Sequence, residues 1–299
     1  MAKEMKPLTA EGYDHNVTLA CEHTLLTLLS AFGSLKGTLR LIGGLVPRYL
    51  TPATPPGVPH HAGTSDVDIV LNLEILATEN EYSSLANQLK RRGFMRGGEE
   101  GSTESWRWRH KVGEHIEVVV ELLRDAGSEL PGKAVSVDGE KVSALTIQYA
   151  GIVHDWYQEK EINGQLEDGM AIETVRFADV PAFVILKAIA LDQRNERKDA
   201  ADLIHVIKHS GTIEEVAALF VQRIHSKQHP DAMEAGQNAL RKLFCDDQHC
   251  EGHMKLGSGA YANFSGSDDD DELAGLRLYA SSLVTALLEQ IEIQLAEAH

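Results

Sequence analysis

Asp66 and Asp68 stand two residues apart in the run Gly63-Thr64-Ser65-Asp66-Val67-Asp68-Ile69-Val70-Leu71. Side chains alternate between the faces of a strand. A strand here therefore points both carboxylates one way, and Val67 and Ile69 the other. Neighbouring carboxylates repel unless a cation lies between them. A hard divalent ion, Mg²⁺ or Mn²⁺, suits that position because it binds one or two carboxylates and completes its shell with phosphate oxygens. Paired ions of this kind clamp the attacking and leaving oxygens of an in-line phosphoryl displacement, which calls for a third acid from a neighbouring strand. The segment HIEVVVELL offers Glu117 and Glu121, four apart on one face, and the spacing leaves both open. Upstream, an apolar stretch runs into Gly43-Gly44. Backbone N–H groups at a glycine turn that opens a helix form a concave anion site suited to triphosphate oxygens. A D-x-D pair alone is most often two solvated carboxylates. The glycine turn before this one and the acid-bearing strand after it set it apart.

Basic residues cluster too: segments 85–111 and 187–198 hold eleven of the 28 Lys and Arg. On one continuous helix Lys187, Arg194 and Lys198 project within about 40° of one another. Such a stripe neutralises nucleotide phosphates; the plainer reading is a surface stripe with ordinary pairs such as Lys198–Asp202. Asp199 is equally a cap for a second helix starting near Asn195. Trp106 and Trp108 share a strand face and read as core more readily than as a base-stacking platform. Arg107 and Arg109, on the other face, suit phosphate or plain exposure. Cys245, His249, Cys250 and His253 cluster, but adjacent His249 and Cys250 are awkward for one tetrahedral zinc, and a polar interhelical loop accounts for them. His60-His61 lies in a proline-rich loop, where exposed histidines need no function. The run Asp268–Glu272 reads as a disordered acidic loop. No P-loop or nucleophile-elbow motif is present, and Cys21 sits on an apolar helix face.

These groups need a scaffold. Residues 14–32 read as an amphipathic helix, Thr38–Ile42 and Asp66–Leu73 as strands, and 79–93 as a helix closed by Gly93. Ser105–Lys111 and Ile116–Leu123 read as a hairpin around Gly113, and Ala171–Phe177 as a further strand. The segment VPRYLTPATPPGVPHHAGT holds five of the nine prolines and reads as a loop. From Asp179, a plausible cap with Pro181 in the first turn, the chain turns helical through about residue 209, then over 212–225, 230–244 and 273–297. The expectation is an α/β (α+β) domain over 1–178, a mixed sheet with flanking helices, followed by a helical domain over 179–299.

The chain has 299 residues and a net charge of −17. An acidic chain repels nucleic-acid phosphates on average, which argues against a general nucleic-acid-coating role but leaves local basic sites open. Apolar stretches fall short of the roughly 20 residues of a membrane span, and no signal peptide is evident. Three scattered cysteines make no disulfide framework, so a reducing cytoplasm is expected.

LIGG, GTSDVDIVL, V-E-L-L and LKAIALDQRNERKDAADL together resemble the nucleotidyltransferase superfamily of DNA polymerase β, in patches between residues 38 and 208. The later lysine and R-x-x-R-K-D-x-x-D pattern is most similar to the AbiEii/AbiGii-type toxins and related bacterial nucleotidyltransferases. The resemblance implies a nucleotidyltransferase fold and assigns Gly43 and Gly44, with Thr64 and Ser65, to the phosphates. It makes Asp66 and Asp68 the metal ligands, with Glu121 or Glu117 as third acid; V-E-L-L slightly favours Glu121. Lys187, Arg194, Lys198, Asp199 and Asp202 match its nucleotide-contacting, site-ordering helical motif. It also implies Mg²⁺ (or Mn²⁺) as cofactor and a nucleoside triphosphate as substrate. The acceptor would be tRNA or other RNA, a protein or a small molecule, and the toxin branch adds a cognate antitoxin as partner. The long, proline-rich interval between Gly44 and Asp66 departs from the pattern and reads as an inserted loop over the site. A nucleotide-sensing module without turnover and an antibiotic-modifying enzyme are the rival readings.

Overall fold

The computed structural model describes residues 6–72, 85–97, 106–136, 142–166 and 168–298. Residues 73–84, which include the expected start of the 79–93 helix, lie outside them. The chain forms a mixed α/β architecture followed by a helical region. Two compact units account for it. One comprises Asp14–Tyr49 and Gly63–Asp179; the other comprises Met1–Tyr13, Leu50–Ala62 and Val180–His299. No helix among the described residues is long and apolar enough to cross a membrane.

Among the described residues, the α/β unit is built on a mixed sheet of nine strands: β1 (Leu39–Ile42), β2 (Asp66–Leu71), β3 (Phe94–Arg96), β4 (Arg107–Val112), β5 (Ile116–Asp125), β6 (Ala134–Ser136), β7 (Ser143–Ile147), β8 (Tyr157–Leu166) and β9 (Gly169–Ala178). Their order is β3-β4-β5-β2-β1-β9-β8, with β7 and then β6 branching from β5. β2 runs parallel to β5, and β1 parallel to β9. Helix α1 (His15–Phe32) packs against this sheet, and Asp14 caps it by accepting from the Asn16 N–H. Its Leu25, Leu28, Leu29 and Phe32 are buried, as are Val67, Ile69, Val120, Leu122 and Trp108 on the strands. The alternation expected of β2 is therefore real: Val67 and Ile69 go to the core. Trp106 and Trp108 are core residues as well.

A four-residue helix α2 (Pro47–Leu50) follows the glycine turn, and α3 (Leu85–Arg91) precedes β3. The helical unit contains α4 (Val180–Arg194), α5 (Arg197–His209), α6 (Ile213–Ser226), α7 (Pro230–Phe244), α8 (Leu256–Phe264) and α9 (Asp270–Glu297). The stretch 180–209 forms two helices, with the second starting close to Asn195, as the alternative reading has it. Asn195 takes a positive φ of 54°, which ends α4, and α5 restarts after Glu196. The single basic stripe built on a continuous helix is lost at this break. The acidic run is not a disordered loop. Asp269 caps α9 by accepting from the N–H groups of Asp271 and Glu272, and Asp270, Asp271 and Glu272 fill the first turn. Negative charge is favoured there because it faces the unpaired N–H groups and the positive end of the helix dipole. α6 begins with a full capping box between Thr212 and Glu215.

Candidate active site

In the α/β unit, Asp66 and Asp68 occupy one face of β2. The parallel register sets Asp66 opposite Val119 and Asp68 opposite Glu121. On the other side of β2, Ile42 stands opposite Asp68, so the Gly43-Gly44 turn begins one residue beyond that row. The approach is close. Gly43 has φ +74°, and a Cβ there would lie 1.9 Å from Asp68 Oδ2. Only glycine leaves room for the carboxylate beside the turn. Gly43–Leu45 winds into a short 3-10 turn that leads into α2.

Asp66 is buried, with 8% of its surface exposed. The Thr64 hydroxyl donates to its Oδ1 at 2.7 Å. Thr64 is itself fixed from α1: its N–H donates to the Thr18 hydroxyl at 3.0 Å, and that hydroxyl donates to the Thr64 carbonyl at 3.2 Å. Gly63 permits this, since a Cβ there would fall 2.2 Å from Thr18 Oγ1. Ser65, half-buried, leads into β2. The aspartate pair thus rests on a support that no single sequence window displays.

Register separates the two glutamates. Glu121 lies directly across from Asp68. Glu117 lies two residues before Val119, the partner of Asp66, and across from Lys111. Each carries an arginine from β4. Arg107 donates to Glu121 Oε1 through both Nε and Nη2 at 2.9 Å, and Arg109 meets Glu117 at 3.0 Å. The sequence reading left Arg107 and Arg109 to phosphate or plain exposure; the register of the hairpin gives each of them an acid. A hairpin centred on Glu114 sets Arg107 opposite Glu121 and puts Arg109 on the same face.

Among the described residues, no group of three or more His, Cys, Asp or Glu side chains is arranged to hold a metal ion. The donors that are present nonetheless fit a hard cation. Asp66 and Asp68 are oxygen donors on one face, close against the glycine turn, and a cation that keeps several shell positions for substrate oxygens needs no more from the protein. Cys245, His249, Cys250 and His253 form a polar interhelical loop. Asp247 Oδ1 accepts from the His249 and Cys250 N–H groups, and Lys255 pairs with Asp247 at 2.6 Å.

In the helical unit, the residues of the K…R-x-x-R-K-D-x-x-D pattern converge on one another. Lys187 Nζ donates to Asp199 Oδ1 at 2.8 Å and to Asp202 Oδ2 at 2.7 Å. Arg194 forks onto both oxygens of Asp199, and Lys198 donates to both oxygens of Asp202. His61 Nε2 completes the cluster at 2.8 Å from Asp202 Oδ1. Asp202 is fully buried. Burial alone would raise both carboxyls. The attraction of Lys187, then of Arg194, outweighs it and holds Asp199 at about 2. Lys187, then Lys198, hold Asp202 well below the usual range. Burial opposes the charge on Lys187, yet Asp199 and Asp202 raise its pKa above the ordinary lysine value. Burial lowers the pKa of His61 despite Asp202, so its imidazole is not the exposed loop residue expected from sequence. No local signal could have found it, since its partner lies 141 residues away.

No protein-family profile matches the chain. No curated protein matches it either. A solved structure with a similar course is the crystal structure of an antigenic nucleotidyltransferase-like protein from Paracoccidioides brasiliensis. It superposes with a TM-score of 0.37 at 16% identity, over 74% of this chain and 94% of that one.

Proposed function

We propose that this chain is a metal-dependent nucleotidyltransferase that moves a nucleoside monophosphate from a nucleoside triphosphate to an acceptor hydroxyl. The observation that carries the reading is the juxtaposition of Asp66 and Asp68 on one strand face, Glu121 across from Asp68, and the Gly43 turn beside it. Asp66 and Asp68 would hold Mg²⁺ or Mn²⁺. When bound, such a cation neutralises phosphate charge and polarises the phosphoryl oxygens. The turn at Gly43-Gly44 offers backbone N–H groups to the triphosphate. Thr64 and Thr18 keep the Asp66 carboxylate in one orientation, which matters because catalysis of this kind is mostly positioning and charge neutralisation. Glu121 would take the acceptor hydroxyl proton. The acceptor oxygen then bonds to the α-phosphorus as the bond to pyrophosphate breaks.

For Lys187, Asp199 and Asp202 we propose an internal role. Their charges satisfy one another, so they order the α4–α5 pair within the helical unit. The resemblance to AbiEii/AbiGii-type toxins is the support for a toxin role and an antitoxin partner. RNA, a protein or a small molecule is the acceptor class to be distinguished.

The test is incubation with each α-labelled nucleoside triphosphate, Mg²⁺ and cell extract, followed by separation into RNA, protein and small-molecule fractions. One fraction should become labelled, with release of pyrophosphate. An Asp66→Ala/Asp68→Ala variant should keep its fold and lose the labelling; full labelling by that variant would show the metal-site assignment to be wrong. Nucleotide-dependent thermal stabilisation without pyrophosphate release would make the protein a nucleotide-sensing module instead.

A further inference from the structure

We propose that Arg107 is a resident counter-ion for Glu121, displaced when a divalent cation arrives, and a positioning residue for substrate phosphate once displaced. This rests on the assignment of Asp66, Asp68 and Glu121 above.

The register places Asp68, Glu121 and Arg107 in one row across β2, β5 and β4, with their side chains on the same face. Adjacent strands lie about 4.8 Å apart, so a guanidinium on the third strand reaches the acid on the second. Both Nε and Nη2 of Arg107 converge on Oε1 of Glu121 at 2.9 Å. One of the two carboxylates in this row is thereby paired with the protein's own charge.

Two features make the pair exchangeable rather than fixed. The side chains are 31% and 20% exposed, unlike Lys187 and Asp202, whose side chains are 9% and 0% exposed. Partly exposed pairs are screened and individually weak. While paired with Glu121, the Arg107 guanidinium also lies over the Trp106 ring, 4.3 Å from its centroid. Trp106 is buried. A guanidinium released from Glu121 would keep the cation–π contact with this ring and turn its free N–H groups to phosphate oxygens. Arg109 provides the internal comparison. It pairs with Glu117 through Nη1 at 3.0 Å, on the same face, outside the row of Asp68.

The experiment measures binding of Mn²⁺ alone to the full chain, by the paramagnetic resonance signal of the free ion. Circular dichroism verifies the fold of each variant. Arg107→Met should tighten Mn²⁺ binding roughly tenfold, within the range of coupled neighbouring charges, and Arg109→Met by less than about twofold. Arg107→Lys keeps the charge but not the fork, so it should also tighten binding, by a smaller factor. That result separates displacement of a specific pair from a general loss of positive charge. In a Glu121→Gln background, Arg107→Met should have no effect.

Arg107→Met binding no more tightly than Arg109→Met, or an Arg107 effect that persists without Glu121, would overturn the proposal. So would Glu121→Gln binding Mn²⁺ as tightly as the unaltered chain. In that case the Asp66–Asp68 site survives if Asp66→Asn abolishes binding. No Mn²⁺ binding by the unaltered chain would remove the underlying assignment and this inference with it.

Discussion

Replacing Gly43 by alanine tests the candidate site with one methyl group. The substitution has two separable effects. Gly43 sits at φ +74°, and a left-handed backbone costs a residue with a Cβ about 1–2 kcal/mol. At about 2–4 °C per kcal/mol for a unit of this size, the melting temperature should fall by several degrees. The second effect is steric. The new Cβ would stand 1.9 Å from Asp68 Oδ2 and 2.8 Å from its Cγ. Ordinary contact requires the carboxylate to withdraw by about 1.5 Å. Displacing a reacting group by about 1 Å can cost on the order of 100-fold in rate. Gly113→Ala is the matched control. Gly113 has φ +65°, and nothing lies within 4 Å of its would-be Cβ. Both variants should lose similar thermal stability, and only Gly43→Ala should lose about two orders of magnitude in metal-dependent nucleotide labelling. If the two variants label their acceptor equally well, Asp68 does not act where the geometry places it.

Removing a cation from the helical unit should be far more damaging than its surface position in the sequence suggests. Lys187→Met leaves Asp199 and Asp202 undercompensated in the interior and should cost about 3–5 kcal/mol in urea denaturation, with most of the loss recovered when both aspartates become asparagine. Stability should also fall in acid, by linkage. The His205 pKa is lowered to about 3, first by burial and then by His61 and His209, and Asp199 is held at about 2. Both values lie below the ordinary 6.5 and 3.8, so each group contributes stability above its ordinary value and loses it as pH falls towards the folded value. The urea midpoint should therefore decline from near pH 6.5 down to about 2, and His205→Asn should flatten the upper part of that decline. Asp269→Ala should cost about 1 kcal/mol through loss of the α9 cap, and Asp269→Asn much less, in thermal denaturation.

Strand β2 was legible because alternation and a two-sided burial demand leave DVDIVL few other places to go. The hairpin of β4 and β5 was legible for the same reason, but the choice between Glu117 and Glu121 was not: both lie on one strand face, and only the register against β2 sets Glu121 across from Asp68. Strand β8 was not read. Its sequence YQEKEINGQL is mostly polar, and most of its residues are exposed or half-exposed at the sheet edge. The pairing with β9, rather than burial, determines it. Helix α8, LGSGAYANF, was missed because its glycines and small residues carry little helical preference; tertiary packing overrides that. The acidic run was visible as charge but not as a cap, because a string of five acids does not announce which one precedes the first turn. The partnerships Thr18–Thr64 and His61–Asp202 join distant segments and leave no local trace.

The proline-rich stretch also has a consequence for how the polypeptide can be taken apart. Residues 50–62 leave the sheet-bearing unit between its glycine turn and its aspartates and belong with the helices, where Thr51 and His61 bond to His205 and Asp202. The backbone therefore passes from one unit to the other at four places. Severing it near residue 180 would keep every residue of the sheet-bearing unit on one piece but part the helices from residues 50–62, so no single-point truncation yields the helical unit whole.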